Sequence, residues 1–157
     1  MPHRTVIVSG AARGVGAACA RRFAANGDHL LLADPDEVAG KAITEELANA
    51  GAKATFVHAE VANRLHIHNI IAEALDAYGR IDVLAHTVRT RFSAPFLETT
   101  EDDFDRIVAA NIRGAFLINQ AVSKQFVKRL DETDDAAPGV IVNIGSVEAV
   151  TAAPDHV

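Results

Sequence analysis

The segment Ser9-Gly-Ala-Ala-Arg-Gly-Val-Gly16 constrains this chain more than any other. It lies between a short apolar run, residues 5–9, and a stretch with helical spacing, residues 15–26. It therefore reads as the tight junction between a buried strand and a helix. Gly10 permits the tight turn, Gly14 lets a ligand approach the backbone closely, and Gly16 lets the helix pack near a sheet. In the helix, Val15, Ala18, Cys19, Arg22 and Phe23 fall on one face, and Cys19 is expected to be a small core residue there.

The same alternation continues along the chain. Residues 29–33, 53–58, 81–85 and 140–144 read as further strands, and residues 37–50, 64–78 and 107–129 as helices. Gly51 and Gly79 stand where helices must end. Thr100, followed by Glu101, Asp102 and Asp103, is a helix start: a capping hydroxyl and then acids at the positive end of the dipole. Residues 131–135 read as a solvated acidic loop, and Pro138-Gly139 turns the chain into the fifth strand. Strands alternating with helices imply an α/β fold with parallel pairing through right-handed crossovers. The strands are apolar throughout, as suits a sheet covered on both faces. The expected architecture is a Rossmann-type doubly wound parallel sheet of order 3-2-1-4-5, one domain over residues 1–157, whose later strands lie outside the chain. The strand at 140–144 is then an apolar edge, and self-association through it or through helix 107–129 is expected, giving a homo-oligomer.

A strand, a glycine turn and a helix start make a phosphate site, because the free N–H groups of the first helical turn face the ligand. The same turn would also serve as a plain junction, but the strand and helix predicted on its two sides favour the nucleotide reading. Asp34 ends the second strand. Its carboxylate can accept from ribose hydroxyls and would repel a 2′-phosphate, whereas Arg13, beside the turn, could pair with that phosphate. Asp34 weighs more because its position meets the ribose, so NAD is expected ahead of NADP; otherwise Asp34 is a turn residue in Asp34-Pro35-Asp36.

Composition removes other classes. The net charge of −6 argues against a nucleic-acid binder. A lone cysteine forbids an intrachain disulfide and suits a reducing compartment. The apolar run after the first residues is too short for a signal-peptide core, and no apolar stretch is long enough to span a bilayer, so a cytoplasmic protein with no membrane partner is expected. His58, His66, His68 and His86 do not complete a metal site, and are read as solvated or loosely packed. Tyr78, the only tyrosine, lies on an apolar helix face and reads as core.

These residues resemble the short-chain dehydrogenase/reductase family. Ser9 to Gly16 is similar to its Thr-Gly-x-x-x-Gly-x-Gly signature, with Ser for Thr. Glu60-Val61 resembles an Asp-Val pair whose acid contacts adenine. Asn111, in Ala-Asn-Ile-Arg-Gly-Ala-Phe, matches the asparagine of the family's catalytic tetrad, and residues 139–146 resemble the strand that delivers the catalytic serine, here Ser146. The resemblance implies hydride transfer between NAD(H) and a small alcohol or ketone. It implies catalytic roles for Ser146 and Asn111, and cofactor contacts from Ser9, Gly10, Arg13, Gly14, Val15, Gly16, Asp34, Glu60, Val61 and His86.

Two departures stand out. Where the family usually has Asn-Asn-Ala-Gly, this chain has His86-Thr-Val-Arg89, which brings a long side chain to a place of close backbone approach. The family's Tyr-x-x-x-Lys is expected about a dozen residues after Ser146, and no tyrosine or lysine follows Ser146 in the sequence. The 157 residues are therefore expected to lack the acid/base pair, and the alternative function is a nucleotide-binding module or pseudoenzyme acting through association.

Overall fold

The computed structural model describes residues 3–132 and 137–151. Five parallel strands form one sheet: β1 (Thr5–Ser9), β2 (His29–Asp34), β3 (Ala54–His58), β4 (Val83–His86) and β5 (Val140–Asn143), in the order β3-β2-β1-β4-β5. This is the expected doubly wound order. Helices α1 (Gly14–Ala25), α2 (Glu37–Asn49), α3 (Arg64–Tyr78), α4 (Glu101–Val108) and α5 (Gly114–Glu132) make the crossovers. The last residues of the acidic run at 131–135, and residues 153–157, lie outside the described residues.

The two faces of the sheet follow from side-chain alternation. Val6, Val8, Leu30 and Leu32 point to one face and pack with Ala17, Ala20, Ile43 and Leu47 of α1 and α2. Ile7, Leu31 and Leu84 point to the other, against Ile67, Ile70 and Ile71 of α3 and Leu117, Ile118 and Val122 of α5. The central strands β1 and β4 are buried along their whole length, whereas β3 is largely half-buried and β5 mostly exposed. The expectation of a sheet fully covered on both faces thus holds at the centre and not at the edges.

The buried face of α1 differs from the one expected. Gly16, Ala17 and Ala20 face the sheet, Cys19 and Phe23 lie at the margin of the core, and Val15 is 55% exposed. The cause is close packing: a Cβ on Gly16 would sit 1.9 Å from the carbonyl oxygen of Gly10. Only small residues fit a helix so near the strand ends, so the larger apolar side chains turn away.

The helix expected over 107–129 begins earlier and is interrupted. Thr100 caps α4 with a reciprocal capping box to Asp103. Between α4 and α5 the chain makes a π turn, Ala109–Arg113. Such wide turns often mark functional positions. Short 3₁₀ turns lie at Phe96–Glu98, before α4, and at Val147–Ala149, after β5.

The register aligns the strand ends. Ser9 pairs with His86 across β1 and β4, and His86 with Asn143 across β4 and β5. Three polar residues thus form a row at the carboxyl end of the sheet. β1 runs to β2 on one side and β4 on the other, so the crossovers diverge at that row and open a crevice.

Candidate functional site

The crevice begins at the glycine turn. Gly10 and Gly14 adopt positive φ, +77° and +53°. Beyond Gly14 a Cβ would meet nothing within 4 Å, so the backbone there faces open space. The first turn of α1 has no side-chain cap, whereas Asp36, Asn63 and Thr100 cap α2, α3 and α4. Uncapped N–H groups at a helix start, reached over glycine backbone, form a cradle that fits a pyrophosphate. Thr87 braces it: its hydroxyl points at the carbonyls of Ser9 (2.8 Å) and Gly10 (3.1 Å).

Asp34 ends β2 beside this cradle. Its carboxylate accepts from the Ala12 N–H (3.0 Å) and the Asp36 N–H (2.9 Å), so it is fixed in place. Arg13 is exposed and donates to Asp36 (2.7 Å). The Ala39 N–H and then Arg13 hold the Asp36 carboxyl below its usual range. Val61 is buried, and its Cγ2 lies 2.6 Å from where a Cβ on Gly114 would stand. Glu60 is exposed, and its N–H donates to His66 Nδ1 (2.9 Å).

Ser9 and His86 do not reach the crevice as free side chains. Ser9 is fully buried, and its Oγ lies 2.7 Å from His86 Nδ1. His86 was expected to be solvated or loosely packed; instead it is 3% exposed and tightly bonded. The reason is its place in the central strand β4, flanked by β1 and β5. Burial pushes its imidazole below 6.5, so it is neutral at pH 7. Its Nε2 is buried with no partner among the described residues.

Next to the cradle lies a cleft of about 670 Å³, lined by His86, Asn111, Asn143, Ser146 and Glu148 among others. That is room for a small organic molecule. The π turn delivers Asn111, whose side chain accepts from the Thr90 N–H and donates to the Thr90 carbonyl, both at 2.8 Å. Asn111 therefore pins the loop after β4 while lining the cleft. Ser146 follows β5 and caps the 3₁₀ turn, its Oγ 3.4 Å from the Glu148 N–H. Arg89 turns across the cleft and donates to both Glu148 oxygens at 2.8 Å.

The cleft thus unites Ser146, Asn111 and His86, while the cradle unites Gly10, Arg13, Gly14, Val15, Gly16 and Asp34. Thr87, Thr90, Arg91 and Asn143 were not singled out in the sequence. Thr87 stands where the family's motif already marked the chain, but Arg91 and Asn143 leave no spacing pattern of their own. Tyr78 lies elsewhere: its hydroxyl donates to the Leu30 carbonyl (3.0 Å) and bonds Thr55. Among the described residues, no helix is long and apolar enough to cross a membrane.

Known proteins match this arrangement. An uncharacterized oxidoreductase of Thermotoga maritima is 30% identical over 152 residues, 97% of this chain and 57% of that protein. Sorbitol dehydrogenase of Cereibacter sphaeroides is 31% identical over 124 residues, 79% of this chain and 47% of that protein. A short chain dehydrogenase/reductase from Burkholderia phymatum, solved in complex with NAD, superposes with a TM-score of 0.87 at 25% identity, over 98% of this chain and 53% of that one. The chain spans about half the length of these relatives. Residues 4–156 match the family model described as short chain dehydrogenase, and the chain belongs to that family.

Proposed function

We propose that the chain binds NAD(H) in the glycine cradle and holds an alcohol or carbonyl compound in the adjoining cleft, as part of a dehydrogenase. The observation that carries this reading is the junction of two features: an uncapped helix start over glycine backbone, and a cleft holding Ser146 beside it. When bound, the nicotinamide supplies or accepts a hydride.

The chain's own residues bind and position. The N–H groups opening α1 take the pyrophosphate, and Asp34 takes the adenosine ribose. Ser146 Oγ holds the substrate oxygen by a hydrogen bond. Asn111 fixes the loop that closes the cleft. Tyr78 cannot pass a proton there, since its hydroxyl is engaged at the amino ends of β2 and β3, away from the crevice at the carboxyl ends. The described residues therefore hold and orient reactants without a phenolic acid/base. That observation favours a second reading, nucleotide binding without turnover by these 157 residues.

Titration of NADH by its fluorescence tests the first reading directly. Saturable binding that weakens on Gly14→Ala supports it, and no binding at millimolar NADH overturns it. Turnover of secondary alcohols by a mass-verified 157-residue sample, lost on Ser146→Ala, would refute the second.

A further inference from the structure

Among the described residues, the cleft beside Ser146 carries more positive than negative charge. Its charged lining side chains among the described residues are Arg89, Arg91 and Glu148. His86 adds none, being buried and pushed toward its neutral form. Two guanidinium groups therefore face one carboxylate.

The two arginines are not equivalent. Arg89 directs one terminal nitrogen at both oxygens of Glu148, at 2.8 Å each. Arg91 stands 3.6 Å from Glu148 Oε1, beyond hydrogen-bonding distance, and its side chain is 62% exposed. Among the described residues it reaches no other acidic group. Arg106, near the same loop, is held by Asp103 (2.9 Å) and stacked over Phe92, so it does not supply this charge. Arg91 thus presents a planar set of five N–H donors, a geometry that matches a carboxylate.

Glu148 also fixes where an anion would sit. Its closer pair is with Arg89, so Arg91, held less tightly at 3.6 Å and more exposed, is the guanidinium better placed to take an anion. Glu148 belongs to the turn that Ser146 caps, with its N–H 3.4 Å from Ser146 Oγ. Arg91 and Ser146 line the same cleft, with Glu148 between them in contact with both. Val88, Phe92, Ala115 and Ile144 give the cleft an apolar lining between its polar groups.

We infer that the substrate is a short hydroxy or oxo acid, whose carboxylate is taken by Arg91 while its alcohol or carbonyl oxygen meets Ser146. This rests on the reading that Ser146 binds the reacting oxygen. A single surplus charge suits a carboxylate better than a phosphate dianion.

The test compares 4-oxopentanoate, pentan-2-one and hydroxyacetone phosphate as ligands of the chain, by saturation-transfer NMR with and without NAD⁺. The oxo acid is expected to bind about tenfold or more tightly than the ketone. That preference should shrink between about 0.05 and 0.5 M salt. Arg91→Gln should abolish the preference, and Glu148→Gln should increase it. Equal affinity for acid and ketone, no acid binding at millimolar concentration, or a preference untouched by Arg91→Gln overturns the proposal. Tighter binding of the phosphate than of the acid overturns the carboxylate assignment. Failure to bind NAD⁺ in the same samples counts against the cofactor reading alone, because the acid-to-ketone ratio is read without it.

Discussion

Ser9 Oγ lies 2.7 Å from His86 Nδ1, joining β1 to β4 where the crossovers diverge. Both residues are buried, and the strand register sets them side by side. The bond ties the residue that opens the glycine turn to the first residue of the divergent His86-Thr-Val-Arg89 motif. A protonated His86 would place a charge in a site that offers, among the described residues, one hydroxyl and no carboxylate partner, which low-dielectric surroundings disfavour.

Stability should therefore depend on pH through His86. Its folded pKa is lowered from 6.5 by burial, so below 6.5 the unfolded chain binds a proton that the folded chain resists. The contribution is full above 6.5 and is lost as pH falls from there toward the folded value. His29, lowered by burial and then by Lys53, acts in the same direction. The lowered carboxyls of Asp36, Glu37, Glu46, Asp82 and Asp103 lose their contributions only further down, below their ordinary values of 3.8 to 4.5. Urea melts between about pH 7.5 and 5 should show falling stability, with a shallower slope in His86→Asn. An unchanged slope in that variant would remove His86 as the cause.

The glycine turn separates folding from binding. On Gly16, a Cβ would stand 1.9 Å from the Gly10 carbonyl oxygen, a backbone atom that cannot move aside cheaply. Gly16→Ala should cost about 2–4 kcal/mol. On Gly14 a Cβ meets nothing, and the penalty is the left-handed backbone alone, about 1–2 kcal/mol. Yet that Cβ would point into the space assigned to pyrophosphate. Gly14→Ala should keep the fold in thermal melts and weaken NADH by about tenfold or more. The idea fails if Gly14→Ala binds NADH as the parent does.

Much of this fold was legible because its determinants are local. Apolar runs, Gly51 and Gly79 at helix ends, and Thr100 before three acids place their elements without reference to distant residues. The face of α1 was not legible, because periodicity follows large apolar side chains and this helix packs through Gly16, Ala17 and Ala20. The π turn leaves no mark either: the helical spacing of 107–129 runs through it, and only the folded chain shows Asn111 pinned to Thr90. The buried state of His86 depends on Ser9, 77 residues away, and the Arg89–Glu148 pair spans 59 residues. Long-range pairs of this kind come from topology, which spacing in a sequence does not encode.

Asp34 should set the choice of nucleotide. Its two oxygens are held by the Ala12 and Asp36 N–H groups, so the carboxylate is aimed and cannot swing away from a 2′-phosphate. Arg13, the group that could favour that phosphate, is paired with Asp36. NAD(H) should bind more tightly than NADP(H). Asp34→Asn keeps the shape but removes the charge and one acceptor, and should shrink the preference by about tenfold to a hundredfold. Tighter NADP(H) binding in the unmodified chain, lost on Arg13→Ala, would show that Arg13 decides instead.

Asn111 should act on the cleft through Thr90. Its amide makes a matched pair of bonds to the Thr90 backbone, accepting from the N–H and donating to the carbonyl at 2.8 Å each. Thr90 lies between Arg89 and Arg91, so the pair holds the segment that presents both arginines to the cleft. Asn111→Ala leaves two backbone groups without partners in a half-buried place, which costs about 1–3 kcal/mol. Asn111→Asp is the sharper test, since its carboxylate still accepts the N–H but faces the Thr90 carbonyl with lone pairs. Both variants should speed amide exchange at Thr90 and its neighbours while exchange in β1 and β4 stays slow. Asn111→Gln should not rescue, because one added methylene displaces the amide from both Thr90 groups. Slow exchange at Thr90 in all three variants would mean that packing alone holds this loop, and Asn111 would then have no positioning role.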